Sequence, residues 1–493
     1  MKPIFVVVAA ACSITACANT AEVQIVASRA TTTSSIVEEV PSEPEDFVEP
    51  TTTTALPPLT STLDDVELTE VVNLGGEREP RADDDLVAAA VVDIQSWAAE
   101  ILADTYGLDD APVRGGIYAG YPGRIDPLPG CGTTETEYRD LVDYVALYCP
   151  GDEFIVYDDG PGGLLESLVN ESGGISIGVV LAHEFGHFIQ DRAGVLDLDL
   201  ATVATEQHAD CLAGAWMGRA ARGESSVLTV GVDGIRAGLI ALVQVRDPAG
   251  IDTMSPGGHG TAFDRIGAFQ TGVEEGAGAC ASLIDNPLPL MPNAYLSLDD
   301  YLRGGDAPYD CTGVSDPECL ASWEFLGADL NEYWSIALGA TVSLEAIPVA
   351  SLDDACRDLR VVDGPIARCV DAQQVVFEAE AVQDPYVASG DFTLGYLLGL
   401  AWADLALENA GSSVRADPLK ADCLVGAWVD DITLGSRRDP ARTSTVITSP
   451  GDPDEAIMML IRLADGEGTS LFERVAAFRS GVLLGPDACP AAS

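Results

Sequence analysis

The chain of 493 residues carries 79 acidic and only 25 basic side chains, which gives a formal net charge of −54. A surface this acidic repels phosphate backbones and anionic lipid headgroups, so nucleic acid is excluded as an expected partner. Because 47% of the residues are hydrophobic, most of the chain can fold, and its length suggests two or three domains. After the N-terminus, no apolar run is long enough to predict a membrane-spanning helix.

Residues 1–17 have the pattern of an export signal peptide. Lys2 supplies a positive charge, and Ile4 to Ala11 supply the apolar segment that follows it. The signal ends in "ITAC", Ile14 to Cys17, which resembles a bacterial lipobox. The resemblance implies an exported protein that is lipid-anchored to the cell membrane at Cys17 and faces outward. The alternatives are an ordinary signal peptide cut nearby and an uncleaved anchor.

Residues 18–84 are rich in Thr, Ser, Pro, Glu and Asp, with runs such as "TTTSS" and "PSEPEDFVEP". Few side chains in this segment could build an apolar core. We therefore expect a disordered, self-repelling acidic tether that holds the folded part of the protein away from the membrane.

Two sequence stretches occur twice, in the same order and at a similar spacing. Such self-similarity indicates two copies of one domain, at 85–285 and 312–493, joined by a linker at 286–311. The matching stretches are "ADCLAGAW" (Ala209–Trp216) with "ADCLVGAW" (Ala421–Trp428), and "FDRIGAFQTGVEEGAGAC" (Phe263–Cys280) with "FERVAAFRSGVLLGPDAC" (Phe472–Cys489).

The number of cysteines is consistent with an exported protein, and their positions are consistent with the internal repeat. With Cys12 in the signal and Cys17 lipidated, ten of the twelve cysteines remain, and an even number in an exported chain predicts disulfides. Equivalent cysteines of the two copies should form equivalent bonds, and the remaining two should form a local clip between the domains. The predicted pairs are Cys131–Cys149 with Cys356–Cys369, Cys211–Cys280 with Cys423–Cys489, and Cys311–Cys319.

The stretch "VVLAHEFGHFIQDRAG" contains two of the four histidines of the chain. The segment from Ile175 to Ala193 lacks proline and ends before a glycine, so it predicts a helix. His183 and His187 then lie on one face, with Glu184 beside them. This H-E-x-x-H pattern is typical of two zinc-binding imidazoles and a glutamate that acts on metal-activated water. The alternative is a core helix whose histidines have only structural partners.

A catalytic zinc usually takes three protein ligands and leaves one position open. After His187 comes "FIQDRAGVLDLDL", so the motif does not continue to a third histidine. On a following helix, Glu206 can supply the third ligand, and Asp210, one turn later, can accept the free N–H of a ligand histidine. His208 lies about 200° around that helix from Glu206 and is expected to face elsewhere. The alternative for Glu206 and Asp210 is an acidic helix face in contact with solvent.

The fourth histidine, His259, lies in the glycine-rich stretch "SPGGHGTAFDR". A glycine-rich loop can approach a cleft closely, and a histidine there could donate a hydrogen bond to the oxyanion of a tetrahedral intermediate. We therefore consider His259 a candidate catalytic residue, with a solvent-exposed loop histidine as the alternative.

Five motifs occur in the order "PGCG", "YCPGDEFIVYDD", "HEFGH", "EQHADCLAGAW" and "HGTAFDRIGAFQTG". In this order they resemble a bacterial family of neutral zinc metallopeptidases over about residues 90–285. The resemblance implies an α+β, zincin-like fold, in which a small sheet lies over the active-site helix and Phe154 to Tyr157 forms its edge strand. It also implies Zn²⁺ at His183, His187 and Glu206, catalysis by Glu184, and a peptide or protein substrate.

The second copy lacks the chemical groups of the first. In the helix expected at Asp391 to Ala406, Leu400, Ala401 and Asp404 stand where the first copy has its two histidines and glutamate. Likewise, "GEGT" replaces "GHGT" in the glycine-rich loop. The second copy is therefore expected to be a degenerate, metal-free repeat of the same fold.

Together these features predict a zinc metallopeptidase of the cell envelope, in which Zn²⁺ activates water and Glu184 is the general base. The competing hypothesis is a non-catalytic envelope protein that binds a partner and uses zinc only to brace its fold. A structural zinc site needs ligands but no base, so the presence of Glu184 favours the enzyme.

Overall fold

The computed structural model of the chain describes residues 60–61, 66–109, 112–132, 135–136, 138, 145–255, 257–312, 319–353, 355–433, 440–464 and 471–490. The predicted signal with Cys17, most of the predicted tether and the "GEGT" motif lie outside the described residues.

The described chain mixes helices with short strands, which makes the fold α+β. In the N-terminal half the elements are β1 (Thr60–Ser61), α1 (Leu68–Val71), α2 (Asp84–Asp104), β2 (Gly116–Gly120), β3 (Leu128–Pro129), β4 (Glu135–Thr136), β5 (Ala146–Cys149), β6 (Phe154–Asp158), α3 (Leu164–Ser172), α4 (Ile175–Arg192), α5 (Thr202–Ala221), β7 (Leu228–Thr229), α6 (Val232–Gln244), α7 (Ala262–Glu275), α8 (Ala277–Ser282) and α9 (Leu298–Arg303).

The C-terminal half also combines helices with short strands. Its elements are α10 (Ser322–Leu338), β8 (Glu345–Val349), β9 (Leu359–Asp363), β10 (Ile366–Cys369), β11 (Gln374–Glu378), α11 (Ala379–Ser389), α12 (Phe392–Asn409), α13 (Pro418–Ile432), α14 (Asp452–Leu463), α15 (Leu471–Leu484) and a final 3₁₀ turn (Pro486–Ala488).

Folded structure begins earlier than the sequence predicted. The predicted tether extends to residue 84, yet Leu68 and Val72 are buried in the main core. Arg78 Nε lies 2.8 Å from Asp159 Oδ2, which ties the segment before α2 to the end of β6. The predicted boundary is therefore too late, because a few apolar side chains and two arginines, Arg78 and Arg81, hold this segment against the core despite its acidic composition.

The sheet beside α4 corrects a second prediction. Its strand order is β2-β6-β5, with β6 parallel to β2 and antiparallel to β5. The prediction that Phe154 to Tyr157 forms an edge strand is wrong, because β6 is the central strand. All five residues of β6 are buried, the pattern of a strand covered on both faces. The strand that packs against α4 from an edge of this sheet is β5.

Helix α2 departs from the expectation that no segment after the N-terminus is apolar and long enough to span a membrane. Its length and mean hydropathy are sufficient for a span, but more than half of its most apolar stretch is buried inside the protein. Asp93 within it is buried and accepts hydrogen bonds from Trp216 Nε1 at 2.7 Å and Arg219 Nη1 at 3.2 Å. These contacts indicate a helix of the protein core.

Helices α5 and α7 pack unusually closely, and so do α13 and α15. A Cβ atom on Gly272 of α7 would lie 1.8 Å from the carbonyl oxygen of Cys211 on α5, and one on Gly481 of α15 would lie 2.0 Å from that of Cys423 on α13. Only glycine permits this approach of two backbones. One disulfide joins α5 to α8, which follows α7, and another joins α13 to the segment that follows α15. The disulfides confirm the predicted pairs: Cys131–Cys149, Cys211–Cys280, Cys311–Cys319, Cys356–Cys369 and Cys423–Cys489.

Residues 55–493 form one compact unit in which the described parts of both halves share a main core. Asp454 of α14 accepts hydrogen bonds from the backbone N–H groups of Ala262 and Phe263, at 3.0 and 2.8 Å, and so caps the N-terminus of α7. Arg479 of α15 donates to the carbonyl oxygen of Phe263 at 3.1 Å. The division at 286–311 and the internal repeat stay predictions, because the halves are packed together rather than separate.

Candidate metal centre

Three side chains from α4 and α5 point at one position. His183 Nε2 lies 3.1 Å from His187 Nε2 and 3.1 Å from Glu206 Oε2, while His187 Nε2 lies 3.4 Å from Glu206 Oε1. The two histidines are one turn apart on α4, and α5 packs against α4 at the level of Glu206. The three residues predicted as metal ligands therefore form a group that could hold an ion.

The other ring nitrogen of each histidine has a partner that fixes its orientation. His183 Nδ1 donates to Asp210 Oδ1 at 2.8 Å, and His187 Nδ1 donates to Gln190 Oε1 at 2.9 Å. With the proton on Nδ1, the lone pair of each Nε2 faces the shared position. Glu206 Oε2 is buried and has no hydrogen-bond partner among the described residues. A buried carboxylate oxygen in this state is suited to bind a cation.

Arg265 of α7 fixes Asp210 in place. Its Nε lies 2.9 Å from Asp210 Oδ2, and its Nη2 lies 2.8 Å from Asp210 Oδ1, so the pair is bidentate and fully buried. Arg265 ends the "HGTAFDR" stretch, and no role was predicted for it from the sequence. An arginine three residues into a helix that begins beside a candidate site was the signal that could have identified it.

Gln190 was also missed, and it connects His187 to His208. Its Nε2 donates to the carbonyl oxygen of Thr205 at 2.6 Å and to His208 Nδ1 at 3.0 Å. His208 Nε2 in turn donates to the hydroxyl of Tyr106 at 2.9 Å. Burial lowers the pKa of His208 to about 4, so the ring is neutral and can accept from Gln190. His208 lies outside the group of candidate ligands. Its role is to position Gln190, which in turn orients the candidate ligand His187.

The electrostatics of the site favour a positive charge. Burial alone would lower the pKa of His183, but the carboxylates of Asp210 and Glu206 outweigh it and raise this pKa to about 10. The pKa of Glu206 is lowered, because the two imidazoles offset the cost of its burial. The shared position thus stabilises a cation, whether a proton or a metal ion.

A cavity of about 380 Å³ opens beside His183 and brings the predicted catalytic residues together. Glu184 and His259 both line it, with apolar side chains such as Val180 and Leu242 around them. No hydrogen bond to the Glu184 carboxylate occurs among the described residues, and the side chain remains 7% exposed toward this space.

Asp247 holds the loop that carries His259. Its Oδ2 accepts the backbone N–H groups of His259 and Gly260, both at 2.8 Å. Its other oxygen lies 3.4 Å from His259 Nδ1, and the imidazole is 40% exposed. Since the loop backbone is fixed and the ring is open to the cavity, His259 is placed where it can meet a bound molecule.

The corresponding positions of the C-terminal half hold different groups. Asp422, aligned with Asp210, forms a buried ion pair with Arg474 at 2.8 Å. It accepts a hydrogen bond from the hydroxyl of Tyr396, whereas Asp210 accepts one from His183. Leu400 and Ala401 are fully buried. Asp404 is neutralised by Arg368 at 2.9 Å and Arg360 at 3.0 Å. Among the described residues of this half, the aligned positions form no group that could hold a metal.

The chain was compared with known families, solved structures and curated proteins. No family profile matches the chain, and no solved structure matches it. The chain is similar to uncharacterized proteins of Mycobacterium tuberculosis and Mycobacterium bovis, with 33% identity over 96 residues. The match covers 18% of this chain and 31% of each relative, so the chain spans about a third of the length of these curated relatives. The zincin-like fold and the peptidase family therefore stay predictions.

Proposed function

We propose that this protein is a zinc-dependent metallopeptidase of the bacterial cell envelope. The observation that carries the proposal is the close approach of three side chains beside a cavity lined by Glu184. His183 Nε2 and His187 Nε2 lie 3.1 Å apart, and they lie 3.1 Å from Oε2 and 3.4 Å from Oε1 of Glu206, respectively. Donor atoms bound to one tetrahedral zinc at about 2.0–2.2 Å lie about 3.3–3.6 Å apart. The observed separations of 3.1–3.4 Å are within a few tenths of an ångström of this spacing, and two imidazoles with one carboxylate are a donor set suited to catalytic zinc.

The residues of the chain divide the chemistry among them. Bound zinc would supply a Lewis acid toward the scissile carbonyl and lower the pKa of water toward neutrality. Glu184, which is not a ligand, accepts the proton of the attacking water and returns it to the leaving amine. His259 donates a hydrogen bond to the negative charge that develops on the carbonyl oxygen. Asp210 and Gln190 keep both ligand imidazoles in the orientation that binding requires.

The surroundings of the site fit an extended peptide with an apolar side chain. The cavity is lined by Val179, Val180, Leu242 and Val245, and its wall includes Ala146 at the start of β5. A peptide lying along the edge of β5 would pass beside Glu184 and place one side chain in this apolar space. We therefore include peptides with aliphatic residues among the proposed substrates.

We further propose that the protein has a zincin-like fold followed by a degenerate, metal-free repeat. The buried pair of Asp422 with Arg474 repeats that of Asp210 with Arg265, and the closely packed helix pairs carry equivalent disulfides. In place of a metal, the C-terminal half has Tyr396 on the aspartate and two arginines on Asp404. These groups supply the positive charge and hydrogen bonds that the two buried aspartates need in the absence of a metal ion.

The five disulfides indicate an oxidising compartment outside the cytoplasm. Lipid attachment at Cys17, on the outer face of the cell membrane, is the proposed means of anchoring. The competing function is a binding protein braced by a structural zinc, and the open cavity at Glu184 favours the peptidase over it.

The purified full chain is expected to hold about one zinc ion, because among the described residues only the group of His183, His187 and Glu206 contains the imidazole ligands that zinc prefers. Replacement of His187 by Ala should empty the site, since it removes one ligand and leaves Glu206 with a single imidazole. Elemental analysis by plasma mass spectrometry measures both contents. Two tightly bound zinc ions per chain would contradict the metal-free repeat, and none would contradict the proposed site.

Replacement of Asp210 by Asn is expected to weaken zinc binding by about 10- to 100-fold, the usual cost of losing an outer partner of a ligand histidine. Asp422→Asn is the matched control, because it weakens the equivalent buried pair with arginine but touches no ligand. Competition with a zinc chelator measures the affinities, and thermal melting measures stability. Equal zinc affinity in the two variants would show that Asp210 serves only the fold.

A further inference from the structure

Four carboxylates meet at a second place, where three segments of the chain converge. Asp306 follows α9, Asp391 precedes α12, and Asp452 and Glu455 lie in the first turn of α14. Oxygen atoms of Asp306, Asp391 and Glu455 all lie within 4.8 Å of one another. None of these residues belongs to the zinc site or to the cavity beside it.

The cluster differs from the buried carboxylates of α5, α12 and α13 because its members form no ion pair with a basic side chain among the described residues. Asp210, Asp404 and Asp422 each form an ion pair with arginine. In the described parts of the chain, no Lys, Arg or His nitrogen forms such a pair with any member of the cluster. In a protein with 79 acidic and 25 basic side chains, arginines are too few to pair with every acidic group.

Asp391 supplies an oxygen that lacks any partner. Its Oδ2 accepts the backbone N–H of Ala307 at 2.7 Å, but Oδ1 is buried and has no hydrogen bond among the described residues. The residue as a whole is only 7% exposed, and its carboxylate points into the cluster toward Asp306 and Glu455. A buried acceptor without a donor costs free energy unless a cation or a proton meets it.

The pKa shifts of the cluster are consistent with carboxylates that lack a compensating positive charge. Burial and the neighbouring carboxylates raise the pKa of Asp391 to about 7, and they raise that of Glu455 well above its usual range. The charge of Arg303 and several backbone N–H groups favour the charged forms, for example the N–H of Phe392, which donates to Glu455 Oε2 at 2.7 Å. Repulsion among these close, buried carboxylates therefore opposes their joint ionisation.

We propose that Asp306, Asp391 and Glu455 bind one calcium ion, which joins the segment after α9 to the N-termini of α12 and α14. The donors are all carboxylate oxygens, the hard ligands that calcium prefers over the nitrogen and sulfur ligands of zinc. Oxygens bound to one calcium at about 2.3–2.6 Å lie at most about 5 Å apart, which matches the size of the cluster. Calcium is also the ion met by exported proteins, whose sites bind it at about 10⁻⁴–10⁻³ M.

The site would stabilise the contact between the two halves of the chain. Asp306 belongs to the segment that joins them, whereas Asp391 and Glu455 lie in the C-terminal half. Asp454, which directly precedes Glu455 in α14, caps the N-terminus of α7 in the N-terminal half. Calcium at this point would therefore fix α14, the helix through which the C-terminal half reaches α7.

Equilibrium dialysis of the full chain against radioactive calcium at neutral pH tests the proposal directly. We expect one saturable site with a dissociation constant of about 10⁻⁴–10⁻³ M, and a melting temperature that rises with CaCl₂ over the same range. Absence of saturable binding up to about 10 mM would overturn the proposal.

Substitutions locate the site. Asp306→Asn and Glu455→Gln should each weaken calcium binding at least 10-fold, whereas Asp299→Asn, which removes an exposed carboxylate within α9, should leave it unchanged. Asp306 is only partly buried, so its variant keeps the test valid if Glu455→Gln does not fold. Unchanged binding in the Asp306 and Glu455 variants would overturn the assignment. A Glu455→Gln variant that melts above the wild type at every calcium concentration would also overturn it, because the carboxylates would then only repel one another.

Discussion

Replacement of Glu184 by Gln is expected to reduce peptide hydrolysis by about 10²- to 10⁴-fold, the usual range for loss of a general base. The amide keeps the shape of the side chain but cannot accept the proton of water. Since Glu184 is not one of the three candidate ligands and accepts no hydrogen bond among the described residues, zinc content and melting temperature should change little. Digestion of a diverse peptide library, with mass spectrometric detection, measures the rate.

The outcomes of this experiment separate the two proposed functions. Loss of hydrolysis with zinc retained supports a peptidase. A zinc-braced binding protein would instead show no hydrolysis in either form, and its biological role would survive the substitution. Equal hydrolysis by the wild type and Glu184→Gln would indicate a contaminating protease or a wrongly assigned base. His259→Ala provides a graded comparison, because loss of a single oxyanion donor typically costs about 10²- to 10³-fold in turnover.

Removal of the Cys211–Cys280 disulfide, by replacing both cysteines with Ala, is expected to lower the free energy of unfolding by about 4 kcal/mol. The bond closes a loop with a sequence separation of 69 residues, so it restricts the unfolded chain strongly. Both cysteines are completely buried, and Ala avoids placing a new polar group in the core. Urea unfolding, followed by tryptophan fluorescence, measures the change.

Two other disulfides serve as controls for this prediction. Removal of Cys423–Cys489, with a separation of 66 residues, should cost nearly the same, while Cys311–Cys319, with a separation of 8, should cost only about 2.6 kcal/mol. Only the Cys211–Cys280 variant should also loosen zinc, because Cys211 follows Asp210 on α5. A Cys211–Cys280 variant no less stable than the Cys311–Cys319 variant would contradict the prediction.

The sequence by itself determined the local parts of the candidate site. Helical spacing placed His183 and His187 on one face of a helix predicted from Ile175 to Ala193, and α4 spans Ile175–Arg192. The same periodicity placed Glu206 and Asp210 on one side of α5. The disulfide pairs followed from comparison of the two halves. These features depend on residues that are near in sequence or on equivalence between two stretches, and a sequence displays both directly.

Other features depended on how the elements pack. The sequence did not identify Gln190 and Arg265 as partners of the ligands, because their roles depend on which faces of α4, α5 and α7 meet. It also gave β6 the wrong place in the sheet, since a buried strand can be read as such from its apolar residues but its neighbours cannot.

The two candidate metal sites mark the limit of what sequence can determine. The zinc site has two of its ligands one turn apart on a helix, a spacing that carries its own signature. In the acidic cluster, Asp306 and Asp391 are 85 residues apart and occupy ordinary positions in a very acidic chain. Local periodicity can be read directly from the order of residues. Distant carboxylates come together only when the segment after α9 packs against the N-termini of α12 and α14. Burial then removes the water that would otherwise screen their charges from one another.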